Sequence, residues 1–206
     1  MSDTARFWDK VADRYSKKPI SDEAAYQRKL EVTREYFRPD SKVLEFGCGT
    51  GSTAILHAPH VEHILATDIS PRMIEIARER AEVAGVTNVT FDVASIESLD
   101  ASVSSFDVVL GLSILHLLVD WEAAIAKIFE FLKPGGVFVS STVCLGDNMR
   151  WFRFVGPIGR ALGLMPLVQI FRKSELEDGL KKAGFHIEYD WHQNPRVAFF
   201  VARKPD

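Results

Sequence analysis

The chain has 206 residues, 47% of them hydrophobic, and a formal net charge of −3 at pH 7. This length suffices for one well-packed core, so we expect a single domain over residues 1–206. The nearly neutral charge balance gives no support for nucleic-acid binding. The two cysteines, Cys48 and Cys144, lack metal-ligand spacing, so we expect no metal site and a reducing, cytoplasmic location. The charged N-terminus lacks the apolar core of a secretion signal.

The first segment of the chain carries aromatic residues at helical spacing. Trp8 and Tyr15 belong to an apolar stripe that is typical of a helix packing face. An aromatic ring can also attract a cationic ligand through its π face, so either residue could instead close a ligand site. We choose Tyr15 for that role, with Tyr26 on the next helical stretch as a second candidate.

A glycine-rich turn follows the first predicted strand. The strand covers residues 42–46, and Gly47, Gly49 and Gly51 come directly after it. Glycines at alternate positions allow a sharp bend and let a ligand approach the backbone, before a helix whose start favours an anionic group. The spacing differs from the dinucleotide fingerprint G-x-G-x-x-G, and Glu45 is an acid in an otherwise apolar strand. The turn therefore predicts a nucleotide-like cofactor pocket, although glycines alone also occur in simple tight turns.

The second strand ends in an acidic residue beside this turn. Asp68 follows the strand at residues 62–67, and Ser70 and Pro71 then suit the cap and first position of a helix. The carboxyl ends of strands are where open α/β sheets bind ligands, and a carboxylate there can accept both hydroxyls of a ribose. The alternative is an aspartate that only caps the turn.

Strands and helices alternate along the rest of the chain, which predicts a parallel sheet covered on both faces. The last two strands are separated only by a short turn that ends in Pro195, so they must pair antiparallel. Strands are predicted near residues 42–46, 62–67, 88–92, 105–111, 136–143, 185–191 and 196–203.

Five motifs in order along the chain resemble those of one family, the class I S-adenosylmethionine-dependent methyltransferases, and in particular its small-molecule branch. Glu45–Gly51 is similar to motif I, Thr67–Ser70 to the ribose-binding acidic motif, and Ser105–His116 to motif IV. Leu132–Gly136 resembles the turn before the fifth strand, and Phe7–Tyr15 the N-terminal cap over the cofactor. The resemblance covers most of the chain and is specific for the family rather than for a substrate.

The resemblance implies a three-layer, Rossmann-like α/β fold with a seven-stranded, mostly parallel sheet whose last strand is antiparallel. It divides the single domain into a helical cap (1–38), a cofactor-binding core (39–143), a substrate lid (144–173), and a C-terminal helix and β-hairpin (174–206).

The cofactor that the resemblance implies is S-adenosyl-L-methionine. At the adenine amine, where the family usually has an acid, this chain offers Ser95 together with the Ile96 backbone N–H, and Asp92 is the rival assignment. The residues assigned to the cofactor are Tyr15, Glu45, Gly47, Cys48, Gly49, Thr50, Gly51, Asp68, Ile69, Met73, Ser95, Ile96, Gly111 and Leu112.

The methyl acceptor is expected to be a small, partly apolar or anionic molecule. Motif IV lacks the sequences of amino-methylating DNA enzymes and the Pro-Cys nucleophile of cytosine-C5 enzymes. His116 follows the fourth strand and is the candidate general base, unless it only shapes the pocket. Residues 148–173 are apolar and basic, without an acid, and either pack on the core, line the acceptor site, or contact a membrane surface. They contain breaks that argue against a membrane span.

Two other functions stay open from the sequence. The domain could bind S-adenosylmethionine without catalysis, as a sensor or partner subunit, because few of its residues handle protons. It could also be an NAD(P)-dependent oxidoreductase, although the spacing of Gly47, Gly49 and Gly51 argues against that.

Overall fold

A computed structural model describes residues 3–147, 165–194 and 196–206, apart from the side chain of Gln193. Within these ranges, helices alternate with the strands of one sheet. The strands are β1 (Lys42–Phe46), β2 (His63–Asp68), β3 (Val89–Val93), β4 (Phe106–Leu112), β5 (Leu132–Val143), β6 (His186–Asn194) and β7 (Val197–Arg203). The helices are α1 (Asp3–Ser16), α2 (Glu23–Arg34), α3 (Ser52–His57), α4 (Pro71–Val83), α5 (Trp121–Phe131) and α6 (Lys173–Lys182), with 3₁₀ turns at Ala58–His60 and Leu115–Leu117.

The sheet has seven strands in the order β3-β2-β1-β4-β5-β7-β6. Neighbours from β3 to β5 pair in parallel, whereas β7 is antiparallel to both β5 and β6. The predicted α/β fold and its terminal antiparallel hairpin are therefore confirmed. Because β1 and β4 are adjacent and connect outward in opposite directions, their carboxyl ends form the crevice where such sheets bind ligands.

Both faces of the sheet are buried, as the continuous apolar runs in its central strands predict. One core contains Phe138 and Phe200 with residues of α5 and α6, and the other contains Val139 and Phe199 with residues of α4. Val109 and the two phenylalanines on β7 are at most 1% exposed. The central strands are thus held rigidly from both sides, which fixes the positions of the loops at their ends.

Helix α4 begins as its sequence predicts. The Ser70 hydroxyl accepts a hydrogen bond from the Met73 N–H at 3.1 Å, and Pro71 takes the first helical position, where no N–H is needed. The helix ends before Gly85, which has a φ of +66°. The Ser70 cap fixes where α4 begins and therefore sets the length of the turn after β2, which holds Asp68 at the tip of its strand.

Strand β5 starts earlier than the predicted residue 136. Leu132 already pairs with Phe106, but the register shifts before Val108 pairs with Val137. The residues between Leu132 and Val137, which have the turn-like sequence Lys-Pro-Gly-Gly, form the irregular part of the strand. The regular ladder therefore begins close to the predicted position.

Much of the predicted substrate lid, residues 148–164, lies outside the described residues. Cys144, at the start of the predicted lid, is 1% exposed and belongs to the apolar core, where free cysteines are often found. None of the helices in the described ranges is both long and apolar enough to cross a membrane.

Candidate functional site

The glycine turn after β1 adopts left-handed backbone angles at Gly47, Gly49 and Gly51, with φ values of +67°, +54° and +75°. A Cβ at Gly47 would lie 2.6 Å from Ile114, and one at Gly51 would lie 2.8 Å from the Ala77 Cβ. A Cβ at Gly49 would meet no atom of the described residues within 4 Å. The outer two glycines are thus required by packing, whereas the middle one faces open space that a ligand can fill.

Asp68 joins the second strand to this turn. One carboxylate oxygen accepts the Gly49 N–H at 2.9 Å, and the other accepts the Ser70 N–H at 2.9 Å. Burial raises the pKa of Asp68, against these backbone hydrogen bonds, which lower it. Each carboxylate oxygen can accept a further hydrogen bond. The residue is therefore fixed in position and still able to bind two hydroxyl groups.

Glu45 places a second carboxyl group beneath the turn. The residue is 3% exposed, and its Oε2 atom has no hydrogen-bond partner among the described residues. Burial raises the pKa of Glu45 to about 8. A buried carboxyl group without a partner is unfavourable, and a ligand that brings a hydrogen-bond donor or a positive charge would relieve this.

Other residues of the glycine turn have partners within the protein. The Cys48 N–H donates to the Thr67 carbonyl at 2.9 Å, and burial raises the pKa of the Cys48 thiol, which excludes a reactive thiolate there. The Thr50 hydroxyl accepts a hydrogen bond from the Arg80 guanidinium at 2.7 Å. These contacts hold the turn in shape, and a contact of Cys48 or Thr50 with the cofactor stays a prediction.

Helix α1 lies against this region. Trp8 packs with Met73, and the ring centroids of Trp8 and Tyr15 are 6.0 Å apart. Burial raises the pKa of the Tyr15 phenol, and the negative charge of Asp68 adds to the effect. Tyr15, which is 48% exposed, is thus influenced by the charge of Asp68, whereas Trp8 and the 2% exposed Met73 are occupied by packing. That Tyr15 covers a bound ligand stays a prediction. A contact of Met73 with the cofactor stays a prediction.

Tyr26 lies farther along the cap. Its hydroxyl group is 3.2 Å from the Thr53 hydroxyl, and the charge of Glu45 contributes to raising its pKa, after burial. This position connects α2 with the first turn of α3 and the buried carboxyl group below it.

The predicted adenine contacts follow β3. The Ala94 N–H donates to the Asp68 carbonyl at 3.1 Å, which brings the next residue, Ser95, beside the second strand. The Ser95 hydroxyl accepts the Ser98 N–H at 3.1 Å and so stabilises a turn, in which Ile96 is 2% exposed. Asp92 is exposed and lies 3.9 Å from Arg78 on α4. The choice of Ser95 over Asp92 stays a prediction, as does the cofactor contact of the half-buried Ile69.

The end of β4 contributes the remaining predicted residues. A Cβ at Gly111 would lie 2.6 Å from Phe46, so this glycine has a packing role, and Leu112 is half-buried against the core. His116 is 9% exposed, and its Nδ1 atom has no partner in the part of the chain described. Burial lowers the pKa of His116 to about 4, so the ring is neutral at neutral pH and can accept a proton.

Two polar residues that the sequence motifs did not indicate, Asp9 and Arg80, connect this site to helix α1. Asp9 accepts hydrogen bonds from the Ser70 hydroxyl and from the Arg72 N–H. A signal for Arg80 does exist in the sequence: it lies three residues after Ala77, on the face of α4 that is otherwise apolar. An arginine is rarely buried at such a position unless its guanidinium has a specific partner.

A family model for the methyltransferase domain matches residues 37–176 of the chain. The chain belongs to the class I S-adenosylmethionine-dependent methyltransferases. The match covers the glycine turn, Asp68, the end of β4 and most of the sheet, and the cofactor of this family is S-adenosylmethionine.

Curated relatives of this methyltransferase are similar over part of their length. It is 32% identical over 147 residues to a ubiquinone biosynthesis O-methyltransferase of Cereibacter sphaeroides, a match that covers 69% of this chain and 59% of that protein. It is 33% identical over 121 residues to phosphoethanolamine N-methyltransferase 1 of Arabidopsis thaliana, covering 56% of this chain and 24% of the relative. The chain thus spans less than two thirds of the length of these relatives.

Solved structures share the fold of the methyltransferase. The YcgJ protein of Bacillus subtilis superposes with a TM-score of 0.72 at 19% identity, covering 87% of this chain and 99% of that one. An S-adenosylmethionine-dependent methyltransferase of Mesorhizobium loti gives a TM-score of 0.74 at 19% identity, covering 89% and 99%. At this identity, the similarity concerns the fold alone.

The residues present fit S-adenosylmethionine. The free Oε2 atom of Glu45 offers a buried acceptor below the turn, and Gly49 leaves space where a side chain would stand. Asp68 offers acceptors at the tip of the next strand. An amino-acid ammonium and a ribose are groups that these acceptors would bind.

Proposed function

We propose that this methyltransferase transfers a methyl group from S-adenosylmethionine to a small, partly apolar or anionic molecule by in-line displacement. The observation that carries the proposal is the arrangement of Glu45, Gly49 and Asp68. Glu45 on β1 is a buried carboxyl group whose Oε2 atom has no partner among the described residues, Gly49 is an open position in the turn that follows, and Asp68 is a fixed carboxylate at the end of the neighbouring β2. These features are difficult to explain by packing alone, because an unpartnered buried carboxyl group destabilises the fold.

In this proposal, the bound cofactor supplies a methyl group on a positively charged sulfonium. Glu45 and the glycine turn hold its amino-acid end, Asp68 holds the ribose, and Tyr15 covers the site. Ser95 and the Ile96 N–H take the adenine. The protein contributes mainly by fixing the donor in line with the acceptor and by excluding water, effects that contribute roughly 7–11 kcal/mol in well-oriented reactions.

His116 is the proposed general base. Its Nδ1 atom is free among the described residues, and the ring follows the strand next to β1. A neutral imidazole in this position can take a proton from a hydroxyl or amine acceptor as the new bond forms. The lowered pKa weakens His116 as a base, so its contribution is expected to lie at the modest end of general-base catalysis.

The acceptor class is supported by the sequence of the lid and by the relatives. Residues 148–173 contain five basic side chains and no acidic one, which suits an anionic or lipid-like acceptor or a negatively charged membrane surface. The names of the relatives include a ubiquinone biosynthesis O-methyltransferase and a phosphoethanolamine N-methyltransferase. We further propose a cytoplasmic location, since Cys48 and Cys144 are both free.

Transfer of labelled methyl groups tests the activity directly. The purified chain is incubated with methyl-labelled S-adenosylmethionine and small-molecule fractions of a cell extract, with Asp68→Ala as a control. We expect label in a fraction of low molecular mass with the wild type and much less with the variant. Tight binding of the cofactor without transfer to any fraction would instead support the sensor function.

A further inference from the structure

One arginine connects the cap helix to the glycine turn. The Arg80 guanidinium, on α4, donates from one nitrogen to the Thr50 hydroxyl at 2.7 Å and the Ser52 hydroxyl at 3.0 Å. Its other terminal nitrogen donates to the Ser16 carbonyl at 2.6 Å, at the end of α1. A planar guanidinium can hold two separate segments in this way, because its donors point in fixed directions.

The partners of Arg80 differ from those of its neighbours on α4. Arg72 forms ion pairs with Asp13 and Glu75, and Arg78 lies 3.9 Å from Asp92. Arg80 is half-buried and forms no ion pair with an acid in the described ranges. In the described ranges, the Arg80 guanidinium therefore donates only to hydroxyl and carbonyl oxygens. Its role is to hold these segments in position rather than to neutralise a negative charge.

The other end of α1 is also fixed next to the site. Asp9 accepts the Ser70 hydroxyl and, at 3.1 Å, the Arg72 N–H. Ser70 in turn donates its N–H to Asp68. The helix is thus held through Ser70 to the proposed ribose ligand at one end, and through Arg80 to the glycine turn at the other.

Besides these contacts, α1 is held by the Asp13–Arg72 ion pair at 2.7 Å and by a small apolar surface, of which Ala5 and Ala12 are the buried residues in the described ranges. The buried cluster between α1 and α4 contains Ala12, Met73 and Ile76, with Trp8 packed against it. A helix with so few buried apolar contacts can separate from the domain at a low free energy, so its polar contacts decide how long it stays in place.

We propose that Arg80 is a positioning residue that couples the docking of α1 to the shape of the glycine turn, and so controls how long the cofactor stays bound. The inference rests on the proposed function, because it takes the turn and Tyr15 as the two sides of the cofactor site. Arg80 itself need not contact the cofactor: it holds Thr50 and Ser16 at a fixed separation, and Ser16 is the residue that follows Tyr15 on α1.

Dissociation of S-adenosylhomocysteine from Arg80→Gln and the wild type, measured by stopped flow with the full chain, tests this inference. We expect the dissociation rate to rise by about tenfold or more in the variant, because both segments lose their shared donor. Arg80→Lys keeps the charge but presents a single ammonium group, so it is expected to release the ligand faster as well. Arg80→Lys is also the more conservative substitution and serves as the test variant if thermal unfolding shows that Arg80→Gln folds poorly.

Hydrogen exchange gives a second readout. In the wild type, the amides of α1 should gain protection when S-adenosylhomocysteine is added, and this gain should be lost in Arg80→Gln. Arg14→Gln is the matched control, because Arg14 is an exposed arginine of α1 without a hydrogen bond or ion pair to the described residues. It should behave as the wild type in both measurements.

The outcomes separate the inference from the proposed function. A wild type that binds the ligand, with unchanged dissociation and protection in both Arg80 variants, overturns the coupling role but leaves the methyltransferase site intact. A wild type that binds neither S-adenosylmethionine nor S-adenosylhomocysteine overturns the proposed function and the inference together.

Discussion

Glu45 lies in an environment that disfavours its charged carboxylate. A carboxyl group on a central strand is shielded from water and lacks a partner for Oε2 among the described residues. The sequence indicated this residue because it interrupts an apolar strand directly before the glycines. The missing partner, however, depends on which atoms surround the side chain, and only the structure shows that.

The buried state of Glu45 predicts a pH dependence of stability. Its pKa in the folded chain is about 8, against 4.5 for an ordinary glutamate. Between these values the folded chain binds more protons than the unfolded chain, so the free energy of unfolding falls as the pH rises, by up to about 1.4 kcal/mol per pH unit. Glu45→Gln removes this titration. We therefore expect urea unfolding to show the variant gaining stability over the wild type from about pH 5 to about pH 8.

Glu62→Gln is the control for this experiment, because Glu62 is exposed. It should keep the pH dependence of the wild type. If Glu45→Gln keeps that dependence too, the carboxyl group is not protonated in the folded chain, and the description of its environment is wrong.

A second prediction concerns His116. If its Nδ1 atom accepts the acceptor's proton, His116→Gln should lower the turnover of labelled methyl transfer by about 10²-fold, the modest end of general-base catalysis, and leave cofactor affinity nearly unchanged. His60→Gln, an exposed histidine in the 3₁₀ turn after α3, should keep wild-type turnover. Unaltered turnover in His116→Gln would assign His116 to packing alone.

The surroundings of the adenine candidates and of Arg80 could not be predicted from the sequence. The sequence offered Ser95 and Asp92, but the turn hydrogen bond of Ser95 and the proximity of Asp92 to Arg78 depend on the tertiary fold, which a pattern does not display. Arg80 was missed because helical spacing predicts a face, whereas the segments that meet that face are set by the tertiary fold.

The glycine turn is the element on which the site depends, and its glycines have different functions. Ala at Gly51 would place a Cβ 2.8 Å from Ala77, in addition to backbone strain at a φ of +75°. We expect Gly51→Ala to lower the melting temperature strongly. Ala at Gly49 meets no atom within 4 Å, so its effect on stability should be limited to about 1–2 kcal/mol of backbone strain.

Gly49→Ala, which changes stability less than Gly51→Ala, should have the larger direct effect on cofactor affinity. The new Cβ in Gly49→Ala occupies the open space of the turn, so this variant should fold and yet lose most of its affinity for S-adenosylhomocysteine in calorimetry. A Gly49→Ala variant that binds as tightly as the wild type would mean that the ligand does not approach the backbone at this position.

The elements themselves were largely predictable. The caps of α4 and the apolar runs of β1 and β4 carry local signals that the structure confirms. The early start of β5 was not predicted, because Lys133 to Gly136 has a turn composition, and its pairing depends on a register shift against β4.

At the scale of the whole molecule, the sheet separates two cores that should both be essential. Phe199 and Phe200 are neighbours on β7, are 0% and 1% exposed, and face opposite sides. We expect Phe199→Ala and Phe200→Ala each to lower the free energy of unfolding by about 3–5 kcal/mol. Val119→Ala, at a residue 75% exposed, should change it by less than about 0.5 kcal/mol. Unequal losses on β7 would show that one face is less well packed.

The order of the strands also explains the position of the site. The parallel half of the sheet places the ends of β1, β2 and β4 side by side, and the antiparallel hairpin completes the opposite half. A local alternation of strands and helices predicted these layers. It could not predict which side chains meet at the edge, because that depends on register.

Calorimetric titration of the purified chain with S-adenosylhomocysteine tests the central claim most directly, with Asp68→Ala and NADH in parallel. We predict saturable binding to the wild type, a loss of roughly 1.5–3 kcal/mol of binding free energy in Asp68→Ala, and no tighter binding of NADH. The account would be contradicted by a folded wild type that takes up neither S-adenosylhomocysteine nor S-adenosylmethionine, or by an Asp68→Ala variant with undiminished affinity.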